Sequence, residues 1–489
     1  MPADGAPAWQ ARLVLAALLV VGAVLRLHHL ATESLWLDEA FSITVARVSP
    51  EYIVEMTAQD VHPPFYYVLL YFWMALWGST EWDARLLSVV FSLGTVVAAY
   101  LAGTRMFSRR VGLTAAGLLA IAPLQVEYAQ EARMYALLAL LATISSYCLF
   151  GIHARSTAGR GTATGSATSR LTGATWLAAY VVVTSLMTYT HVHSLFVLAA
   201  HALVVGIELW RRRGRALPFA TRWAAAQIAV TLAYLPWLPT FARQVSHVQD
   251  GFWIPGPDWT AVPYALLVYA GSERLVWLMA PLAILGLWRA WRRPDSVAGP
   301  LLSAWLLCPL VLPFVLSLVG SSIFLPKYTI AASVPFALLV AGGVAIFPRV
   351  VRIVALAAVV VFTSQVLEPY YEGPRRKDDW RGAVRQIEAR AKPGDLIVFY
   401  PFHTKIAYDM YETREDLVRV PFPRHAQAAP DGSVTAMLDR IVGDAGRVWL
   451  ITMSFDSRQP WLVEALSARF AVVERVSAFH VDAHLFTSP

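Results

Sequence analysis

The sequence predicts a polytopic α-helical membrane protein with a small α/β domain at its C-terminal end, and three observations carry that prediction. Apolar residues make up 57% of the chain and charged residues only 15%, at a mean hydropathy of +0.52, beyond what a water-soluble domain tolerates. The apolar residues are gathered into long blocks, most of them near the ~20 residues that cross ~30 Å of hydrocarbon. After Glu368 charges return and the apolar runs shrink to strand length.

About eleven crossings are expected, at residues 11–30, 86–106, 112–124, 132–152, 174–190, 194–210, 222–242, 274–291, 300–320, 328–346 and 350–367. The first has the length of a signal peptide, but Arg26, Leu27, His28 and His29 follow it where a cleavage site would need small residues, so it reads as a retained helix. The block Phe65 to Trp77 is shorter and carries Tyr66, Tyr67, Tyr71, Trp73 and Trp77. That aromatic loading belongs at a bilayer interface, so this block is assigned as a juxtamembrane helix. If it does not cross and the N-terminus is cytoplasmic, the clusters Arg109-Arg110, Arg155 to Arg170, Arg211 to Arg213, Arg289 to Arg293 and Arg349 to Arg352 all fall on the cytoplasmic side. The net charge of +7 is therefore read as topology, and no nucleic-acid partner is expected, because the cations are scattered between apolar blocks.

The Gly/Ser/Thr-rich stretch 153–173 reads as a cytoplasmic linker. Cys148 and Cys308 both lie in apolar blocks, so no stabilising disulfide is expected. Gly373-Pro374 punctuates the chain into a membrane module, 1–372, with a first external loop at 31–85, and an external α/β domain, 373–489. In that domain Leu396 to Tyr400 and Val448 to Met453 read as strands, and 381–391, 434–442 and 461–469 as helices. Asp378-Asp379 ahead of Trp380 reads as an acidic N-cap.

The candidate functional residues gather on the external side. Asp38 and Glu39, in Leu35-Trp36-Leu37-Asp38-Glu39-Ala40-Phe41, sit just beyond the first apolar block, where a carboxylate is a catalytic base, a metal ligand or an interfacial cap. In Asp60-Val61-His62-Pro63-Pro64 the prolines stiffen an extended entry to the juxtamembrane helix, so Asp60 and His62 point the same way. They either bind a divalent metal such as Zn²⁺ or Mn²⁺, or position a substrate, or His62 simply caps. If Gln125 to Tyr135 is helical, Glu127, Glu131 and Tyr135 share one face while Gln130 and Arg133 lie on another. Arg133, and Lys327 in Leu325-Pro326-Lys327-Tyr328, are external cations against the usual bias: they bind an anionic lipid phosphate, or they snorkel from helix ends. His191 and His193 form a further polar island at an external junction.

Together, Leu-Trp-Leu-Asp-Glu-Ala at 35–40, Asp-Val-His-Pro-Pro-Phe-Tyr-Tyr at 60–67, Gln-Glu-Ala-Arg-Met-Tyr at 130–135 and Leu-Pro-Lys-Tyr at 325–328 resemble the GT-C glycosyltransferases. The closer likeness is to the bacterial protein-mannosyltransferase and aminoarabinose-transferase-like group, glycosyltransferase family 39, over about residues 10–370. The resemblance implies an enzyme of the bacterial plasma membrane that takes a sugar from a polyprenyl-phosphate donor and transfers it to an extracytoplasmic lipid, glycan or protein acceptor. It implies Asp38 as general base with Glu39 in support and an inverted anomeric centre. Asp60, His62, Glu131, Arg133, Tyr135, His191, Lys327 and Tyr328 would lie on the donor and substrate side, with membrane lipids around them. The C-terminal domain departs from the eukaryotic protein mannosyltransferases and leaves the acceptor open. A lipid-linked-sugar flippase would place its polar residues nearer mid-membrane, and a non-catalytic assembly protein would not need Asp38.

Overall fold

The computed structural model describes residues 7–157, 172–249, 253–422, 432–454 and 459–488. The chain folds as two units. One holds Met1–His28, Val48–Gly78 and Asp83–Glu372, the other His29–Arg47, Ser79–Trp82 and Gly373–Pro489. Residues 29–47 and 79–82, which the sequence places in the first external loop, thus group with the C-terminal residues.

The first unit is helical, as its apolar blocks require. Among the described residues seven segments are long and apolar enough to cross a membrane: Ala8–Leu27, Glu81–Met106, Tyr135–Thr157, the broken stretch Ser194–Ser246, Ala298–Val319, Pro326–Val344 and Arg349–Glu372. An eighth follows if Ala261–Ala270 and Glu273–Trp291, bent by 94°, count as one span. The expected count of about eleven would further need Arg109–Ile121, Gly173–Thr188 and two passes within Ser194–Ser246. Phe65–Trp77 has 13 residues, shorter than a span. Residues 158–171 of the predicted linker lie outside the described residues, and the helix Tyr135–Thr157 takes up the linker's first turn.

Two local devices fix this unit. Helices Glu273–Trp291 and Ser333–Val344 touch backbone to backbone, since a Cβ on Gly286 would lie 1.9 Å from the Leu339 carbonyl oxygen and one on Gly343 1.9 Å from that of Leu282. The fully buried Arg26 closes the end of Arg109–Ile121. Its Nη1 donates to the Ala120 carbonyl at 2.7 Å, its Nη2 to that of Leu119 at 3.0 Å and its Nε to Ser92 Oγ at 2.8 Å. Those carbonyls are ones that a helix C-terminus leaves unsatisfied, and Pro123, which has no N–H, cannot serve as the i+4 partner of Leu119.

The second unit is built on a five-stranded sheet in the order β2-β1-β3-β5-β4, with β1 Leu396–Phe399, β2 Val418–Pro421, β3 Arg447–Met453, β4 Ala471–Ala478 and β5 Val481–Thr487. Strands β2, β1 and β3 are parallel, while β5 runs antiparallel to β3 and β4. The central strands β1 and β3 are buried almost throughout and so read as continuous apolar runs. One face packs Trp380, Val384 and Ile387 of helix Trp380–Glu388 on Ile397, Phe399, Trp449 and Ile451, and Ala40 is part of the same core. Leu438, Leu462 and Leu466 cover the other face over Val398, Val448 and Leu450. Asp379 caps Trp380–Glu388 by accepting from Gly382 N at 3.0 Å.

Candidate active site

In the first unit six of the eight expected donor-side residues, His62, Arg133, Tyr135, His191, Lys327 and Tyr328, come together at helix ends. Pro64 opens the helix Phe65–Trp77, and Phe65 N donates to the Tyr189 carbonyl at 3.0 Å, which pins the His62-Pro63-Pro64 entry to the junction between Gly173–Thr188 and Ser194–Arg212. That tie sets the His62 ring 5.1 Å from His191, which is 5.1 Å from His193. Tyr328 lies between them, 5.1 Å from both His191 and His193 and 6.3 Å from His62. Tyr135 stacks on Tyr328 at 6.0 Å, and Lys327 Nζ lies 5.6 and 5.7 Å from the two ring centres, within cation–π range. Buried Arg133 donates from Nη1 to Tyr67 Oη at 3.3 Å, and its carbonyl accepts from Ser88 Oγ at 3.3 Å.

The helical reading of residues 125–135 needs correcting. A short helix Pro123–Glu127 ends in a turn, and the next helix begins only at Tyr135. Glu127, Glu131 and Tyr135 therefore do not share a helical face. The cause is Gln130, whose amide donates to the Arg26 and His28 carbonyls at 3.0 and 2.7 Å and accepts from Tyr370 Oη at 2.8 Å, bonds that a continuous helix would break. Glu131 is buried in this turn. Asp60 ends the helix Pro50–Gln59, and its carbonyl accepts from Gln244 Nε2 at 2.6 Å. Among the described residues no group of three or more His, Cys, Asp or Glu side chains is placed to hold a metal ion, so Asp60 and His62 belong to no such group.

His62, His191, His193, Tyr328 and Gln244 line one part of a cavity of about 500 Å³ whose other walls include Phe196, Phe241, Val245, Leu316 and Val319. A polar end and an apolar body suit an amphiphile. The ring hydrogen bonds define the protons. His193 N donates to His191 Nδ1 at 3.1 Å, leaving the His191 proton on Nε2, and His193 Nε2 donates to the Ile323 carbonyl at 3.1 Å. His191 Nε2, His193 Nδ1 and His62 Nδ1 are buried without a hydrogen-bond partner among the described residues. Burial holds the His62 and His191 pKa values well below the usual imidazole range, the charges of Arg133 and Lys327 adding to it, and lowers His193 to about 4. The three rings are neutral at pH 7, so the positive charge of the cluster belongs to Arg133 and Lys327.

Asp38 and Glu39 belong to the second unit. They occupy the first turn of helix Leu37–Ala46, where carboxylates favour the helix dipole. Asp38 is half-buried, while Glu39 is fully buried and its Oε2 pairs with Lys377 Nζ at 3.1 Å. Sequence reasoning left three contributors out of the site. His193 reads in the sequence only as part of a polar island, and Tyr67 is one more aromatic in a row of them. Gln244 lies on the strongly amphipathic helix Leu238–Gln249, whose polar face was the available signal.

Residues 61–239 match the family model described as dolichyl-phosphate-mannose-protein mannosyltransferase. Among curated protein sequences none matches the chain. Its fold is similar to ArnT from Cupriavidus metallidurans in the apo state, at a TM-score of 0.64 and 16% identity over 98% of both chains. The same protein bound to undecaprenyl phosphate gives 0.63 at 16% identity, again over 98% of both chains. The archaeal oligosaccharyltransferase AglB from Archaeoglobus fulgidus, in complex with an inhibitory peptide and a dolichol-phosphate, gives 0.59 at 10% identity over 90% of this chain and 69% of that one. By the family match and these likenesses, the chain is a multi-pass membrane protein with the fold of the GT-C glycosyltransferase superfamily.

Proposed function

We propose that the protein moves a sugar from a polyprenyl-phosphate donor to a hydroxyl group of an extracytoplasmic acceptor at the bacterial plasma membrane, the acceptor being a lipid, glycan or protein. One observation carries the reading: His62 and His191 line a cavity with a largely apolar body, and the cations Arg133 and Lys327 lie close enough behind them to lower both imidazole pKa values. Two cations and a neutral donor fit a phosphate, and the apolar walls fit the prenyl chain next to it. The undecaprenyl phosphate of ArnT and the dolichol-phosphate of AglB support that donor class.

In the reaction Asp38 accepts the proton of the acceptor hydroxyl as its oxygen attacks the anomeric carbon. The bond from that carbon to the phosphate oxygen breaks, and its electron pair leaves with the lipid phosphate. Arg133 and Lys327 stabilise the charge that develops there, and shielding from water strengthens them. Tyr135 and Tyr328 both offer Lys327 a ring within cation–π range. Asp60, His62 and Glu131 line the donor side, and Glu39 supports Asp38. A single displacement inverts the anomeric centre.

The test uses full-length protein in detergent, radiolabelled polyprenyl-phosphate hexoses and pentoses, and a membrane extract as acceptor. Wild type is expected to transfer at least one sugar, and Asp38→Asn to lose transfer while still binding undecaprenyl phosphate. Equal transfer by both removes Asp38 from the base role. No transfer and no donor binding across the panel overturns the enzyme reading.

A further inference from the structure

The segment that carries Asp38 is held by C-terminal residues at successive points. Arg381 Nη2 donates to the Ala31 carbonyl at 3.1 Å. Glu33 Oε1 accepts from the backbone of Arg376 at 2.5 Å and of Lys377 at 3.4 Å. Ser34 Oγ donates to the Asp378 carbonyl at 2.6 Å, and Leu35 N donates to Tyr411 Oη at 2.6 Å. Tyr411 and Arg381 also both bond Glu81 of the short segment Ser79–Trp82. Beyond these, Lys377 Nζ reaches Glu39 at 3.1 Å and Ala40 enters the sheet core.

These contacts determine where Asp38 points. Successive residues on a helix diverge by about 100°, so fixing Glu39 and Ala40 fixes the rotation of the first turn and with it the direction of the Asp38 side chain. Glu39 is fully buried and the Lys377 side chain only 13% exposed. A buried pair of this kind adds little net stability when intact, costs much when one partner is removed, and serves best to specify a register. We infer that Lys377 is a positioning residue for Asp38, acting through Glu39, and that the C-terminal domain is the template on which the base-bearing segment is set. The inference rests on the reading of Asp38 as base.

The test is a mutant cycle on full-length protein with the polyprenyl-phosphate sugar that wild type accepts. Lys377→Met is expected to lower kcat 10- to 100-fold with KM for the donor and undecaprenyl phosphate binding within twofold of wild type, and Lys377→Arg to recover most of that loss. In an Asp38→Asn background, read on the residual transfer left at high enzyme concentration and long incubation, Lys377→Met should then cost nothing further, because its effect runs through Asp38. Glu39→Gln keeps the shape of the side chain and removes its charge, so it should show the same kcat loss even if Lys377→Met folds poorly. The inference is overturned if Lys377→Met and Glu39→Gln keep wild-type kcat, or if Lys377→Met costs as much in the Asp38→Asn background as in wild type. In either case a loss of transfer in Asp38→Asn alone leaves the base reading standing, whereas full activity of Asp38→Asn removes the base reading and the inference with it.

Discussion

The backbone N–H of His193 donates to Nδ1 of His191 at 3.1 Å, and this bond between near neighbours leaves His191, which lines the cavity, with a donating Nε2–H. With Nδ1 occupied as acceptor, the proton sits on Nε2. His191→Phe keeps the ring and removes that donor. A hydrogen bond to a charged group is worth about 1.5–3 kcal/mol, so affinity for undecaprenyl phosphate should fall about 10- to 100-fold. Equilibrium binding in detergent measures it, and unchanged affinity would remove His191 from the phosphate.

Lys327→Met and Arg133→Met each take one cation from the cluster. Each should weaken undecaprenyl phosphate binding by about 10-fold or more and lower kcat further, because the charge they face grows as the leaving group departs. Lys327→Arg should be the milder change, since charge persists. Comparison of kcat with binding affinity separates the two effects, and a loss in affinity alone would confine these residues to ground-state binding.

Acid should destabilise the first unit through its buried histidines. His193 titrates near 4 in the folded protein against a usual 6.5. Below pH 6.5 the unfolded chain takes up a proton that the folded one refuses, so stability is lost as pH falls from about 6.5 toward 4 and levels off beneath. At pH 5 this single group costs about 2 kcal/mol. Thermal unfolding at pH 7 and pH 5 should show a drop that His193→Gln reduces, and an equal drop in the variant would contradict the assignment.

Gly286→Ala and Gly343→Ala should both lower Tm, since each new Cβ meets a backbone carbonyl that only helix movement can relieve. Overpacking of this order costs about 1–3 kcal/mol. Gly206→Ala is the control. Nothing lies within 4 Å of its Cβ position on helix Ser194–Arg212, so it should be neutral or slightly stabilising. A differential scan of the three variants in one detergent decides it.

Six expected donor-side residues, His62, Arg133, Tyr135, His191, Lys327 and Tyr328, lie in one cluster of the first unit. They were legible because each is a polar or aromatic residue at the end of an apolar block, and the expected topology puts those ends on one side. The turn at residues 128–134 was not legible, because the spacing of Glu127, Glu131 and Tyr135 fits a helix and only the remote carbonyls of Arg26 and His28 defeat it. In the second unit β1 and β3 announce themselves as continuous apolar runs. The outer strands β2 and β4 are largely exposed and carry little periodicity to read. Ala40 gave no signal of its place in a sheet core, since a single small residue carries no pattern across so long a stretch of chain.

That place for Ala40 has a consequence for biogenesis. Ser34 and its partner Asp378 are 344 residues apart, and a ribosome adds ~5–20 residues per second. The Asp38 segment therefore emerges early and waits, without the surface it folds against, until β5 has been made. A prematurely terminated chain would leave the Asp38 segment without the sheet core in which Ala40 is packed.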